Sequence, residues 1–220
     1  TTTYTSGKYA GVIGEDWNSS TVNWDFKWKN VLSYNSNNLP DNAVFYNWNG
    51  LQWVLDSRET LTYNGVNKII SDLSENWISS QWVNSRKTLL TYDANNKIVT
   101  SRSADWDDFN SVFGPVKDRT DYVLDAAGNR ISETNVYTYN SVTSNYKKEY
   151  VYDTSSLMSS FANPFKDKTG TDYLFEDFPH VNKPLGYNYF SYNTSTSTYD
   201  NTSRTTYDYN NVIVLATDKF

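Results

Sequence analysis

An internal repeat constrains this chain more than any other feature. Trp48, Trp77 and Trp106 stand 29 residues apart. Each is followed by a short polar stretch and a second aromatic, Trp53, Trp82 or Phe113. A basic residue comes next (Arg58, Arg86, Arg119), then Tyr63, Tyr92 or Leu124. The triplet Asn67-Lys68-Ile69, Asn96-Lys97-Ile98 or Asn129-Arg130-Ile131 closes the period. Weaker copies run Trp17-Trp24-Trp28-Tyr34, Tyr139-Tyr146-Lys148-Tyr152 and Tyr192-Tyr199-Arg204-Tyr209. Tyr139 and Tyr192 lie 53 residues apart, nearly two periods, so residues 161–190 take the place of one divergent, Pro-containing unit. Each unit of such an array buries its apolar face only against its neighbours.

Within a unit the local code is β. Arg58-Glu59-Thr60-Leu61-Thr62-Tyr63 and Lys148-Glu149-Tyr150-Val151-Tyr152 are rich in Thr, Val, Tyr and Leu and alternate along the pleat. Asn49-Gly50 reads as a two-residue type I′ hairpin tip. Asn64-Gly65-Val66-Asn67, Asp93-Ala94-Asn95-Asn96 and Asp125-Ala126-Ala127-Gly128-Asn129 supply the positive φ of a second kind of tip. No connection is long enough for a parallel crossover. The expected fold is all-β: an antiparallel meander of about seven two-stranded repeats in a strongly twisted or spiralled sheet, with a closed β-barrel as the alternative. Residues 1–220 read as one β-repeat domain. Residues 105–109 are expected to form one short helical turn. Residues 161–186, with Pro164, Pro179 and Pro184, are expected to be largely irregular.

Composition narrows the function. The 19 Tyr, 10 Phe and 8 Trp among 220 residues carry much of the apolar surface and exclude a disordered chain. The Tyr hydroxyls and Trp N–H groups favour half-wet surfaces over a thick dry core. There is no Cys, so disulfides and thiol chemistry are excluded. A net charge of −6 without a basic stripe argues against nucleic acid. No apolar run reaches the length of a membrane helix, and the opening Thr1-Thr2-Thr3-Tyr4 has no leader features, so a mature or trimmed form is expected.

The Tyr-Asx tips resemble a known group. Tyr92-Asp93-Ala94-Asn95-Asn96-Lys97-Ile98 and Leu124-Asp125-Ala126-Ala127-Gly128-Asn129-Arg130-Ile131 resemble the units of YD-repeat proteins. Tyr152-Asp153, Asn163-Pro164-Phe165-Lys166, Tyr173-Leu174-Phe175 and Val181-Asn182-Lys183-Pro184 are similar to the insert of YD-like secreted proteins and lipoproteins of Bacteroidetes. The resemblance covers most of residues 17–213. It implies a β-hairpin array outside the cell or on its outer surface and brings no catalytic residues. The lipid-acceptor Cys of the lipoproteins is absent, so the expectation is either that this part has been removed or that the protein is released or attached another way, as type IX secretion cargo would be.

The candidate binding residues are the first aromatics of the units: Trp17, Trp48, Trp77, Trp106, Tyr139 and Tyr192. Aligned along one edge, they suit a polysaccharide, whose CH faces stack on rings, or a protein partner; the opposite reading makes them staples of the scaffold. The repeated basic residues read chiefly as stacking on neighbouring aromatics or pairing across strands. An enzyme is the alternative, a glycoside hydrolase-like protein using Asp107 and Glu176 as acid and base. His180, the only histidine, stands near no nucleophile motif. No cofactor or metal is expected, calcium at Asp105, Asp107 and Asp108 being only a weak option without the usual loop spacing. The leading expectation is a non-enzymatic surface or extracellular protein of structural or adhesive role. Unpaired sheet edges would also permit self-assembly.

Overall fold

The computed structural model describes residues 1–160 and 180–209, together with the backbone of residues 214–219. Pro164, Glu176 and Pro179 lie outside the described residues. The strands are β1 (Thr2–Thr5), β2 (Lys8–Asn18), β3 (Asn23–Tyr34), β4 (Pro40–Trp48), β5 (Trp53–Tyr63), β6 (Ile69–Ile78), β7 (Gln81–Tyr92) and β8 (Ile98–Asp107). They continue as β9 (Val112–Phe113), β10 (Asp118–Leu124), β11 (Arg130–Tyr139), β12 (Val142–Leu157), β13 (Asn182–Asn193), β14 (Thr198–Tyr209) and β15 (Val214–Lys219).

Fourteen of them lie side by side in chain order, and the two-residue β9 pairs with β8 off that path. Neighbouring strands pair antiparallel, so the meander read from the repeat is the observed fold. The order has two ends, β1 and β15, and does not close into a barrel. The helical turn expected at 105–109 is absent: β8 runs through Asp107, and Asp107-Asp108-Phe109-Asn110-Ser111 forms a hairpin tip onto β9. Residues 182–186, expected to be irregular, belong to β13, where Pro184 faces Tyr152 of β12.

By chain contacts the described residues form two compact parts. One holds Thr1–Leu89 and Asp105–Gly114; the other holds Leu90–Ala104 and residues 115–160, 180–209 and 214–219.

Two tip chemistries explain the repeat. At Asn35, Asn64, Asp93 and Asp125 the side-chain Oδ1 accepts the backbone N–H groups two and four residues on, at 2.8–3.1 Å. The positive φ falls each time at the fourth tip position: Asn38, Asn67, Asn96 and Gly128. The Tyr before the tip also recurs for a reason. Tyr34, Tyr63 and Tyr152 each donate their hydroxyl to the carbonyl at or beside the start of the preceding strand, those of Tyr9, Pro40 and Arg130. The opposite connections use tighter tips. Ser79-Ser80 and Asn140-Ser141 have positive φ at both residues, the I′ pattern. At Asn49-Gly50 the tip is shifted by one residue from the expected place: Asn49 N–H meets the Gln52 carbonyl at 3.2 Å, and Gly50, with φ 95°, is the first central residue.

Among the described residues the buried apolar side chains are Leu32, Ala43, Leu61 and Pro184, whereas Asn30, Glu75, Ser103, Asn129, Glu133, Asn135, Asn182 and Thr205 are buried polar ones. The fold is held by cross-strand side-chain pairs more than by a core.

Candidate functional site

Every predicted aromatic sits at a hairpin end. Trp17 faces Trp24 with ring centroids 5.5 Å apart, Trp48 faces Trp53 at 5.1 Å, Trp77 faces Trp82 at 4.9 Å and Trp106 faces Phe113 at 5.0 Å. All four pairs are edge-to-face, the arrangement the ring quadrupoles favour, worth about 0.5–1.5 kcal/mol beyond burial. Tyr192 meets Tyr199 in the same way at 5.2 Å. Tyr139 lies opposite Val142, not an aromatic, and stacks at 6.5 Å on Tyr137 of its own strand.

A second series covers these pairs. Lys29 lies 5.0 Å from the Trp53 ring, Arg58 lies 4.6 Å from Trp82, and Lys87 lies 5.9 Å from Phe113. Lys147 stands 5.5 Å from Tyr199. Each cation comes from an earlier strand and sits over the second aromatic of a later hairpin. Arg58 also pairs with Glu75, Nη2 to Oε1 at 2.9 Å, and that bond raises its pKa. The basic residue equivalent to Arg58 is therefore Lys87, not Arg86, which instead contacts Asp105 at 3.4 Å. Arg119 pairs with Asp121 at 2.7 Å, and Lys148 pairs with Glu133 at 2.9 Å.

The cause of this offset is a bulge that recurs three residues after the second aromatic. Lys27, Asp56, Ser85 and Thr202 are each skipped in the register of their strands. An extra residue exchanges the two faces of the strand beyond it. The fifth residue after the ring, not the fourth, then shares the ring's face.

The first hairpin carries the most exposed Trp side chains, and at the β11–β12 hairpin Tyr139 is 61% exposed. Trp17 is 51%, Trp24 58%, Phe26 45% and Trp28 40% exposed, whereas Trp48, Trp53, Trp77, Trp82, Trp106 and Phe113 are half-buried. Phe26 packs on Trp48 and Trp53 at 5.4 and 5.5 Å. The Trp28 indole lies against Gly14, where any side chain would collide with it. Among the described residues no cation covers Trp17 or Trp24.

Asp107 caps its tip. Its carboxylate accepts from the Asn110 side chain at 2.7 Å and from the N–H groups of Phe109 and Asn110 at 3.0 and 3.1 Å. The Asn110 side-chain bond leads the causes that hold Asp107 below the usual carboxylate range, away from what a general acid needs. Glu176, its expected partner, lies outside the described residues. No group of three metal-ligating side chains occurs among the described residues.

In the second compact part the titratable groups are bound to one another. Glu133 receives Lys148 and, at 3.6 Å, Arg130, whose guanidinium lies 3.7 Å from the Tyr122 ring. Burial opposes the charge of Lys148, yet the Glu133 bond leaves its pKa raised. Tyr150 is raised by burial and then by Glu133; Tyr152 is raised by burial. The Tyr152 hydroxyl meets His180 Nδ1 at 2.6 Å, and burial, aided by Arg130, pushes the imidazole down to about 4. At neutral pH the phenols are protonated and His180 is uncharged, so the cluster is a fixed network. Beside it, fully buried Asn129 holds the backbone N–H groups of Val181 and Asn182 at 2.9 and 2.7 Å. Two of the motifs quoted above thus meet in space.

No protein-family model matches the chain, and no curated protein matches it. Among solved structures, a Bacteroides fragilis protein of unknown function aligns with 16% identity and a TM-score of 0.47, over 54% of this chain and 87% of its own. A porin-like protein of Bacteroides uniformis aligns with 10% identity and a TM-score of 0.44, over 99% and 86%. Another porin-like protein, from Bacteroides vulgatus, aligns with 14% identity and a TM-score of 0.40, over 92% and 93%.

Proposed function

We propose that this chain is a non-enzymatic β-repeat protein, extracellular or attached to a bacterial outer surface, with an adhesive or structural role. It holds a partner on the aromatic face of the β2–β3 hairpin. The carrying observation is the contrast in exposure on one face: Trp17, Trp24 and Phe26 are at least 45% exposed, whereas the facing ring pairs Trp48–Trp53, Trp77–Trp82 and Trp106–Phe113 are half-buried. Exposed aromatic clusters of this kind mark recognition surfaces on soluble proteins. On this reading Trp48, Trp77 and Trp106 are staples, and Trp17 with Trp24 is the contact surface. The YD-like tips, with their Asx caps, fit an array built for length, and Asp107 serves its tip, not catalysis.

The test compares two double variants. Trp17→Ala/Trp24→Ala loses retention on bacterial surface preparations or polysaccharide while its thermal midpoint stays close to the wild-type value. Trp77→Ala/Trp82→Ala lowers the midpoint by several degrees. Undiminished retention by the first variant refutes the assignment.

A further inference from the structure

The two ends of the hairpins in the first compact part differ in kind. Neighbouring strands alternate in direction, so the β2–β3, β4–β5, β6–β7 and β8–β9 tips all fall at one end. Each of these tips carries an exposed apolar side chain: Val22, Leu51, Ile78 and Phe109. Leu51 is 88% and Phe109 95% exposed, so neither serves the packing of its own fold. Directly behind the prongs stand the ring pairs, which hold seven of the eight Trp of the chain. Residues 19–22, 49–52 and 78–81 carry no charge, in a chain whose residues are 20% charged, and the fourth tip adds only Asp108 to its cap Asp107. The connections at the other end, 35–39 and 64–68, have no Trp. They present one exposed prong, Val66, beside Lys68 and the Lys8 ammonium bound to Asn38.

The backbone under the two longest prongs is already satisfied. Asn49 Oδ1 accepts the Leu51 N–H at 3.0 Å, and Asp107 Oδ1 accepts the Phe109 N–H at 3.0 Å. Both side chains can leave water without baring that donor. Neighbouring tips stand two strand spacings apart, about 10 Å. A folded partner needs a continuous apolar patch, which single side chains parted by Ser, Asn and Gln do not offer. A glycan would stack on rings and leave Leu51 and Ile78 without a role. A bilayer accepts each prong wherever it stands, and indoles favour the depth just outside the hydrocarbon.

We propose that these four tips seat in the interfacial region of a phospholipid bilayer, with Leu51 and Phe109 reaching the acyl chains and the Trp pairs at headgroup level. Three tips without charge give anionic lipid nothing to hold, and Asp107 and Asp108 favour a zwitterionic surface over an anionic one. The contact is separate from the β2–β3 ring face.

Flotation of the full chain with phosphatidylcholine vesicles measures the partition constant. Leu51→Ser and Phe109→Ser are each expected to lower it roughly tenfold, the scale of one large apolar side chain returned to water, and the double variant is expected not to float. Val66→Ser, the same kind of change at the opposite end, leaves it unchanged. The thermal midpoints of all these variants stay close to the wild-type value, because the three side chains are exposed. Vesicles of equal parts phosphatidylcholine and phosphatidylglycerol bind no more tightly. Wild-type protein that does not float, a double variant that floats like wild type, a loss at Val66 as large as that at Leu51, or flotation only with phosphatidylglycerol each overturns the proposal. Self-association that the double variant abolishes, in a protein that ignores vesicles, puts a second copy on the tips and overturns it equally. If flotation fails while Trp17→Ala/Trp24→Ala still loses polysaccharide retention, the ring face stands and only the lipid contact falls.

Discussion

Asp72 offers a direct measure of how little of this fold is core. It faces Leu61, one of the few buried apolar side chains among the described residues, across the β5–β6 pair. Its Oδ1 is buried without a hydrogen-bond partner, and burial raises its pKa from 3.8 to about 6. A carboxyl that holds its proton more tightly when folded stabilises the fold only while protonated. Between pH 3.8 and about 6 the folded state binds more protons than the unfolded one, so this group's contribution falls as pH rises and is flat above that window. At about 1.4 kcal/mol per pH unit the whole shift would amount to about 3 kcal/mol; solvent contact at the site reduces this to about 1–2 kcal/mol. Asp72→Asn is therefore expected to be more stable than wild type by about 1–2 kcal/mol at pH 7, and equal to it near pH 4. Urea denaturation of both proteins across pH 4–8 measures the difference, in which the other titrating groups cancel. A variant no more stable than wild type at pH 7, or an advantage that grows toward acid, refutes the reasoning.

Two further outcomes follow from the same geometry. Gly186 has φ 145°, and a side chain there would meet the Thr205 carbonyl of β14, so Gly186→Ala is expected to cost about 2–4 kcal/mol in denaturant unfolding. Arg58→Met leaves Glu75, 9% exposed at its side chain, without its ion pair and costs about 3 kcal/mol, whereas adding Glu75→Leu recovers most of that loss in a double-mutant cycle.

Much of the fold was legible in the sequence because its punctuation is local. Asn64, Asp93 and Asp125 each bind backbone a few residues ahead, so they mark the tips without help from the rest of the chain. The paired rings were legible for a similar reason, each pair facing across a short tip at the opposite end of the strands. The cation series was not. Arg58 and Arg86 look alike as residues following an aromatic pair, but the bulge at Ser85 puts Lys87 on the ring face and turns Arg86 toward Asp105. A single skipped residue leaves no compositional mark. The spacing of Lys29, Arg58 and Lys87, 29 residues each time, was the one signal that could have revealed it.

The cation series gives the array a direction. Lys29, Arg58 and Lys87 each reach forward to the ring pair of the following repeat, so each of these three repeats lends a charge to the next one downstream. A gene duplication that copies one whole period copies both the lender and the borrower, and the new repeat is accommodated wherever it lands after the first. Loss of half a period breaks a loan and strands an indole. Length in such a protein can therefore evolve in steps of one period at little energetic cost.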